Sequence, residues 1–269
     1  MSVVQAIVLG SVQGLTEFVP ISSSGHLVIV PELLGWRQPG LAFDVLLHAA
    51  SLLALLVYFS GDLVDLARGV RAGDRGARRL LAALAIGTVP AALAGVLLAD
   101  FFEGQFEDAR AAAVQLAITA VILAGAELAL AYHERTRART GAALRRTADI
   151  TAADATAIGV AQAVSILPGI SRSGSTIGAG LALALTRDDA ARFAFLLSIP
   201  ALAGAAVVSA PDVSGDATLG LGAAVAGFAA SLVTSYAAIA ALIAFLRANT
   251  LYPFALYCIV AGPLFYVLV

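Results

Sequence analysis

The chain has 269 residues, of which 60% are hydrophobic and 13% are charged, and its mean hydropathy is +0.93. A soluble domain carries about 25% charged residues. The composition therefore excludes a disordered chain, a nucleic-acid-binding protein and an ordinary cytosolic enzyme. It predicts an all-α integral membrane protein in which residues 1–269 form a single polytopic domain.

Six apolar stretches are long enough to cross a bilayer, which takes about 20 residues of helix. In chain order, the predicted spans are residues 41–59, 80–98, 111–132, 190–209, 219–246 and 251–268.

Two further apolar regions are interrupted by proline, serine and glycine. Residues 2–34 break at Pro-Ile-Ser-Ser-Ser-Gly (20–25), and residues 152–185 break at Pro-Gly-Ile-Ser-Arg-Ser-Gly (168–174). Each half is too short to cross the membrane at 1.5 Å per residue. Irregular backbone is tolerated at membrane depth only where it is buried in protein or lines a wet cavity. The pattern therefore predicts two re-entrant helix–loop–helix hairpins.

The arginines predict the orientation of the spans. Arginine clusters at 68–79 and 135–146 alternate with acidic segments at 100–108 and 211–216. Because cytoplasmic loops carry the excess of basic residues, the arginine clusters are predicted to be cytoplasmic and both termini external.

An internal repeat accompanies the two breaks. A displacement of 149 residues aligns Thr16 with Ser165 and superposes five identical pairs: Gln13 and Gln162, Ile21 and Ile170, Ser22 and Ser171, Ser24 and Ser173, Gly25 and Gly174. Each interrupted region is followed by three spans, an odd number, so the second unit is predicted to be inverted. We expect repeats at about 1–135 and 150–269. Inverted repeats place a binding site where their interrupted helices meet.

The second break has the chemistry of an anion site. It opens a helix, and exposed N–H groups at a helix N-terminus bind anions. Arg172 adds a planar guanidinium that matches phosphate oxygens. An arginine inside an apolar segment costs about 2.5–3.5 kcal/mol on insertion scales, so it needs a partner. A phosphate ligand is favoured, and a structural ion pair with Glu17 is the alternative.

The first break offers complementary groups. Gln13 and Glu17 are four residues apart and therefore share a helix face. His26 can act as acid, base or nucleophile, and the consecutive serines supply hydroxyl groups, although helix capping explains any one of them as well. A buried histidine with satisfied hydrogen bonds is the alternative for His26. Asp44 and His48, also four residues apart, form either a wall of the site or an interfacial pair.

Two long motifs resemble those of the undecaprenyl-diphosphate phosphatase family. They are Gln-Gly-Leu-Thr-Glu-Phe-Val-Pro-Ile-Ser-Ser-Ser-Gly-His at 13–26 and Pro-Gly-Ile-Ser-Arg-Ser-Gly-Ser-Thr at 168–176, and residues 193–201 resemble a further stretch. The resemblance covers the chain from the N-terminus to the last predicted span. It implies the fold outlined above, with six spans, two re-entrant hairpins and inverted repeats. It also implies that the protein forms a homodimer.

The resemblance also implies the reaction and its residues. The expected activity is hydrolysis of undecaprenyl diphosphate to the monophosphate, which recycles the lipid carrier for cell-wall synthesis and is associated with bacitracin resistance. The implied catalytic residues are Glu17, His26 and Ser23. The implied diphosphate-binding residues are Arg172, Ser171, Ser173, Thr176, Ser22 and Ser24. A divalent cation, Mg²⁺ or Ca²⁺, is implied beside Glu17 and Gln13, although many relatives have Glu at the position of Gln13.

Several alternatives stay open at this point. We expect Ser23 to attack the terminal phosphorus in an outward-facing cavity of the cell membrane, whereas a phosphohistidine at His26 or direct attack by water would serve equally. An archaeal source would make the lipid a dolichol-type diphosphate. Transport is the rival function: a polyprenyl-phosphate flippase would use the same anion site and would need no nucleophile.

Overall fold

A computed structural model describes residues 1–98, 101, 108–213 and 220–269. These residues form eleven α-helices and a short 3₁₀ turn at Thr147–Asp149. The helices are α1 (Val3–Phe18), α2 (Ser23–Leu33), α3 (Leu41–Tyr58), α4 (Ser60–Arg71), α5 (Arg75–Leu97), α6 (Ala109–Thr140), α7 (Ala152–Val164), α8 (Arg172–Ala182), α9 (Arg187–Val213), α10 (Leu221–Leu246) and α11 (Tyr252–Leu268). The predicted all-helical class is confirmed.

Five of these helices, α3, α5, α6, α9 and α10, are long and apolar enough to cross a membrane. They correspond to five of the six predicted spans. The sixth prediction, at 251–268, corresponds to α11, which is apolar and has 17 residues. The chain is therefore a multi-pass membrane protein.

One helix was missed by the sequence reasoning, and two predicted segments lie largely outside the described residues. Helix α4 has 12 residues and no buried side chain, and it follows α3 almost directly. Its charged, amphipathic sequence suggested only a basic loop. Most of the acidic segments at 100–108 and 211–216 falls outside the residues that the structure describes.

Both predicted interruptions are present, but each is shifted toward the N-terminus. Helix α2 begins at Ser23 and α8 begins at Arg172, inside the predicted breaks. The cause is serine capping. Ser22 Oγ accepts a hydrogen bond from the Gly25 N–H at 3.4 Å, and Ser171 Oγ accepts one from the Gly174 N–H at 3.1 Å.

Two glycine crossings bring the interrupted regions against helices from the other half of the chain. Helix α1 packs along α10, and α7 packs along α5. A Cβ atom at Gly10 would collide with the carbonyl oxygen of Gly227, and one at Gly159 would collide with that of Gly87. Small residues permit such close backbone approach between membrane helices. Gly10 and Gly159 are 149 residues apart, as are the pairs that define the sequence repeat.

The aromatic core fixes the end of α1. Phe18 and Phe59 are almost fully buried, and each makes an edge-to-face contact with Phe195 of α9, at centroid distances of 5.5 and 6.2 Å. Such pairs add about 0.5–1.5 kcal/mol beyond the burial of their area. The residue next to Phe18 in the chain is Glu17, so this packing holds a carboxylate at a defined point in the interior.

Candidate active site

The two interrupted regions meet through a charged pair. Glu17 lies in the last turn of α1 and is 6% exposed, while Arg172 is the first residue of α8. Arg172 Nη2 forms an ion pair with Glu17 Oε1. The structure therefore contains the ion pair with Glu17, which is the alternative that the sequence left open for Arg172. A guanidinium has five N–H donors, so this contact leaves others for a phosphate.

The second oxygen of Glu17 is surrounded by hydrogen-bond donors. Ser23 Oγ donates to Glu17 Oε2, and Gln13 Nε2 donates to the same atom at 3.0 Å. His48 Nε2 lies 3.8 Å from it. A hydroxyl that donates to a carboxylate can pass its proton there as the oxygen attacks a phosphorus atom. The site thus contains a buried serine with a base already in contact.

The remaining predicted phosphate ligands surround the two helix starts. Ser22 Oγ lies 3.3 Å from Ser24 Oγ, and Ser171 Oγ lies 3.2 Å from Ser173 Oγ. Thr176 Oγ1 donates to the Arg172 carbonyl at 2.8 Å. A helix leaves its first N–H groups without intrahelical acceptors. Each start therefore presents hydroxyl and N–H donors, which is the arrangement that binds an anion.

His26 is held by other partners. Its Nδ1 lies 2.7 Å from the Ser22 carbonyl oxygen, and its Nε2 lies 2.6 Å from the hydroxyl of Tyr257, on which the ring stacks. The ring is 5% exposed. It therefore anchors the cap residue of α2, directly before Ser23. The catalytic assignment of His26 stays a prediction.

The backbone at the first break is strained. Ser22 has φ +66° and ψ +99°, a left-handed conformation that serine rarely adopts. Such a residue costs on the order of 1–3 kcal/mol and persists only where its surroundings enforce it. Here the His26 contact and the Gly25 cap bond enforce it, and the result is a sharp turn that directs Ser23 toward Glu17.

Some residues that support the site were missed. Ser51, Ser231 and Ser235 are fully buried, and Ser51 Oγ lies 3.3 Å from Ser231 Oγ, 3.0 Å from Ser235 Oγ and 3.5 Å from Gln13 Nε2. Thr119 Oγ1 accepts from the Ser171 N–H at 3.0 Å and donates to the Gly169 carbonyl at 2.9 Å, which fixes the second break. The available signal was a hydroxyl residue inside an otherwise apolar span, which in membrane helices commonly contacts a neighbouring helix.

The donor set does not fit a cation held by the protein. Mg²⁺ and Ca²⁺ take six to eight oxygen ligands, some of them water or substrate phosphate, and the protein usually contributes one or more carboxylates. Both oxygens of Glu17 already accept from Arg172, Ser23 or Gln13. Among the described residues, Gln13 Oε1 and Asp44 Oδ1 are buried without a hydrogen-bond partner, but the two side chains lie on different helices, α1 and α3. Within the described ranges, no three His, Cys, Asp or Glu side chains are grouped to bind a metal.

Comparison with known proteins extends over nearly the whole chain. Residues 6–264 match the family model described as "Bacitracin resistance protein BacA". A protein from Pelobacter propionicus is 42% identical over 271 residues, covering 97% of this chain and 95% of its own length. One from Geobacter sulfurreducens is 42% identical, covering 97% and 96%, and one from Methanosphaera stadtmanae is 38% identical, covering 97% and 96%. All three relatives are named undecaprenyl-diphosphatase.

Proposed function

We propose that this chain, which belongs to the bacitracin resistance protein BacA family, hydrolyses undecaprenyl diphosphate to undecaprenyl phosphate and inorganic phosphate. The observation that carries this conclusion is the buried contact of Ser23 Oγ with Glu17 Oε2, beside Arg172. It joins a nucleophile, a base and a cation where the two interrupted regions meet. Recycling of the lipid carrier for cell-wall synthesis follows from the product.

The diphosphate is held by the two helix starts. Arg172 keeps its Nη2 on Glu17 and directs its other N–H groups at the phosphate oxygens. The hydroxyls of Ser22, Ser24, Ser171, Ser173 and Thr176 and the first N–H groups of α2 and α8 complete the set. Phosphoryl transfer depends mainly on positioning and on neutralising charge at the equatorial oxygens, and these groups supply both.

Ser23 acts as the nucleophile in this proposal. Its Oγ attacks the terminal phosphorus while Glu17 takes the hydroxyl proton, and the bond from phosphorus to the bridging oxygen breaks. Undecaprenyl phosphate leaves. Water then attacks the phosphoserine, the bond from phosphorus to Ser23 Oγ breaks, Glu17 returns its proton to that oxygen, and phosphate leaves with both protons of the water molecule. His26 holds the turn that carries Ser23, and a phosphohistidine at His26 remains the competing intermediate.

A divalent cation, in this proposal, enters with the substrate. The oxygens of a diphosphate are hard ligands that bind Mg²⁺ or Ca²⁺, whereas the residues around Glu17 do not form a cation site. A cation supplies charge neutralisation on the phosphate oxygens. Glu17, in contrast, is committed to Ser23 and Arg172.

The finer architecture is also part of the proposal. Regions α1–α2 and α7–α8 are taken as the re-entrant hairpins of two inverted repeats. The six spans are α3, α5, α6, α9, α10 and α11. The paired glycine crossings support this assignment. The cavity then opens to the outside of the cell membrane, where the bilayer holds the polyprenyl tail, and the chain forms a homodimer as the family resemblance implies.

The experiment that tests the function is phosphate release from a C55 or C15 polyprenyl diphosphate by purified protein, with and without EDTA. We expect release by the wild type and loss in Glu17→Ala and Arg172→Ala. If folded wild-type protein released no phosphate but moved polyprenyl phosphate between leaflets of a vesicle, the hydrolase proposal would fail in favour of a flippase.

A further inference from the structure

His48 is a second histidine at the site, and its ring is oriented by its own helix. It lies on α3, and its Nδ1 is 2.8 Å from the carbonyl oxygen of Asp44, one turn earlier. A carbonyl oxygen only accepts, so Nδ1 carries a proton. This bond fixes the ring and turns Nε2 toward Glu17. Its side chain is 32% exposed, so the ring borders the accessible part of the site.

Nε2 of His48 has no hydrogen bond to Glu17, although it faces it. The separation from Glu17 Oε2 is 3.8 Å, which is too long for a hydrogen bond. This oxygen is the one that accepts from Ser23. A phosphorus atom attacked by Ser23 therefore brings its oxygens beside His48 Nε2.

The two histidines of the site differ in availability. Both ring nitrogens of His26 are engaged, by the Ser22 carbonyl and the Tyr257 hydroxyl. His48 has one nitrogen engaged and the other directed at the carboxylate. The charged groups facing His48 are Glu17 from α1, with Arg172 from α8 behind it, and Asp44 on α3 itself, whose Oδ1 is buried without a partner in the described residues.

We propose that His48 is a substrate-binding residue: its Nε2 donates a hydrogen bond to the terminal phosphate and holds it against Ser23, opposite Arg172. This rests on the proposed hydrolase function and adds a third element, α3, to the site. Because Nδ1 already carries a proton, donation from Nε2 means that the ring carries both protons when the phosphate is bound. The role requires a donor at this position and no proton transfer.

The test compares His48→Leu, which removes the donor, with His48→Gln, which keeps an N–H donor. His133→Leu is the matched control, because the contacts of His133 among the described residues are with the Ala182 carbonyl and the adjacent Tyr132 ring on α6, and not with the site. Two quantities are measured: kcat/KM on farnesyl diphosphate, and the affinity for its non-hydrolysable methylenediphosphonate analogue. Thermal unfolding in detergent checks that each variant is folded.

We expect His48→Leu to lose about 10²-fold in kcat/KM, the range for a hydrogen bond to a charged group, and to bind the analogue more weakly. His48→Gln should stay within about tenfold of the wild type, and His133→Leu should match it.

A folded His48→Leu that binds the analogue as the wild type does would overturn the proposal. So would a His48→Gln as inactive as His48→Leu with unchanged binding, because that result indicates proton transfer. A wild type that binds the analogue but releases no phosphate would overturn only the hydrolase function; one that does neither would overturn both.

Discussion

The two interrupted regions are built alike and carry opposite chemistry. Each second helix begins after a serine cap, Ser22 or Ser171, and each cap hydroxyl lies 3.2–3.3 Å from the serine two residues later. Each first helix crosses its neighbour at a glycine, Gly10 or Gly159. The capping pattern is therefore shared, although Ser22 has φ +66° and Ser171 has φ −68°, and each region yields a helix start of the kind that binds anions.

The two regions differ in the side chains that they carry at equivalent positions. The residue directly after the cap is Ser23 in the first region and Arg172 in the second, 149 positions apart. Glu17, the proposed base, aligns with the apolar Ile166. In the proposed mechanism the first region thus holds the reacting hydroxyl and its proton acceptor, and the second holds the guanidinium of Arg172. One repeated scaffold can supply both halves of a phosphoryl-transfer site because the two regions differ in the residue after the cap and in the residue aligned with Glu17.

Removing Ser23, the proposed nucleophile of the first region, should have the largest effect. Ser23→Ala should lower kcat by more than about 10³-fold, because no covalent step remains, while analogue binding persists. Ser24→Ala, which loses only a binding hydroxyl, should lose about tenfold or less. Rapid-quench analysis should trap phosphate on Ser23 in the wild type. Phosphate found on His26, or on no residue, would contradict this assignment.

Breaking the contact between the two regions should have the next largest effect. Glu17→Gln and Arg172→Met should each lower kcat/KM by about 10²–10³-fold, the scale for one transition-state donor. Because the two residues contact each other, the double variant should be little worse than either single variant. A double-mutant cycle on kcat/KM gives the coupling directly. Strictly multiplicative losses would show that the ion pair does not unite the two regions.

Adding a carboxylate to the first region should change its cation binding. Gln13→Glu places a second acid one turn before Glu17, beside Ser51. We expect it to bind Mg²⁺ or Ca²⁺ without substrate, because paired carboxylates are the usual ligands, whereas the wild type should not. Isothermal titration with each cation measures this. Substrate-free binding by the wild type would mean that Gln13 and Glu17 already form a cation site.

The glycine crossings should respond alike in the two regions. Gly10→Ala and Gly159→Ala each force a Cβ atom into a facing carbonyl oxygen, and such overpacking costs about 1–3 kcal/mol. Gly125→Ala, which meets no atom within 4 Å, should be neutral or slightly stabilising, since alanine favours helix more than glycine does. Thermal unfolding in detergent measures all three variants. Destabilisation at only one crossing would argue against equivalent repeats.

The smallest effect is expected where the second region begins. Asp154 pairs with Arg145 and accepts from Thr151, and these contacts lower the pKa of its carboxyl to about 2, with the Arg145 hydrogen bond as the largest favourable cause. A carboxyl whose pKa is lowered by folding stabilises the protein above its unfolded value of about 3.9 and loses that contribution as the pH falls toward 2. The unfolding temperature should therefore drop across this interval. In Asp154→Asn the drop should be smaller, and an identical pH profile in that variant would refute the linkage.

The sequence alone predicted the membrane class, five spans that the structure shows as long helices, and both interruptions. These features are local: a run of about 20 apolar residues or a Pro-Gly-Ser break acts within its own segment. Helix α4 was missed because its charged residues resemble a loop. The exact helix starts were missed because the capping serines, rather than the prolines, determine them.

Which side chains contact one another in the site depended on the tertiary structure. The motifs identified Glu17, Ser23 and Arg172 as site residues, but their arrangement as one contact, with Glu17 between the other two, joins residues up to 155 positions apart. The engagement of His26 by Tyr257 and the approach of His48 to Glu17 likewise depend on how α11 and α3 pack against the first region. Apolar periodicity specifies which face of a helix is buried but not which neighbour it meets. For that reason the residue types in the site could be predicted from the sequence, and their partners could not.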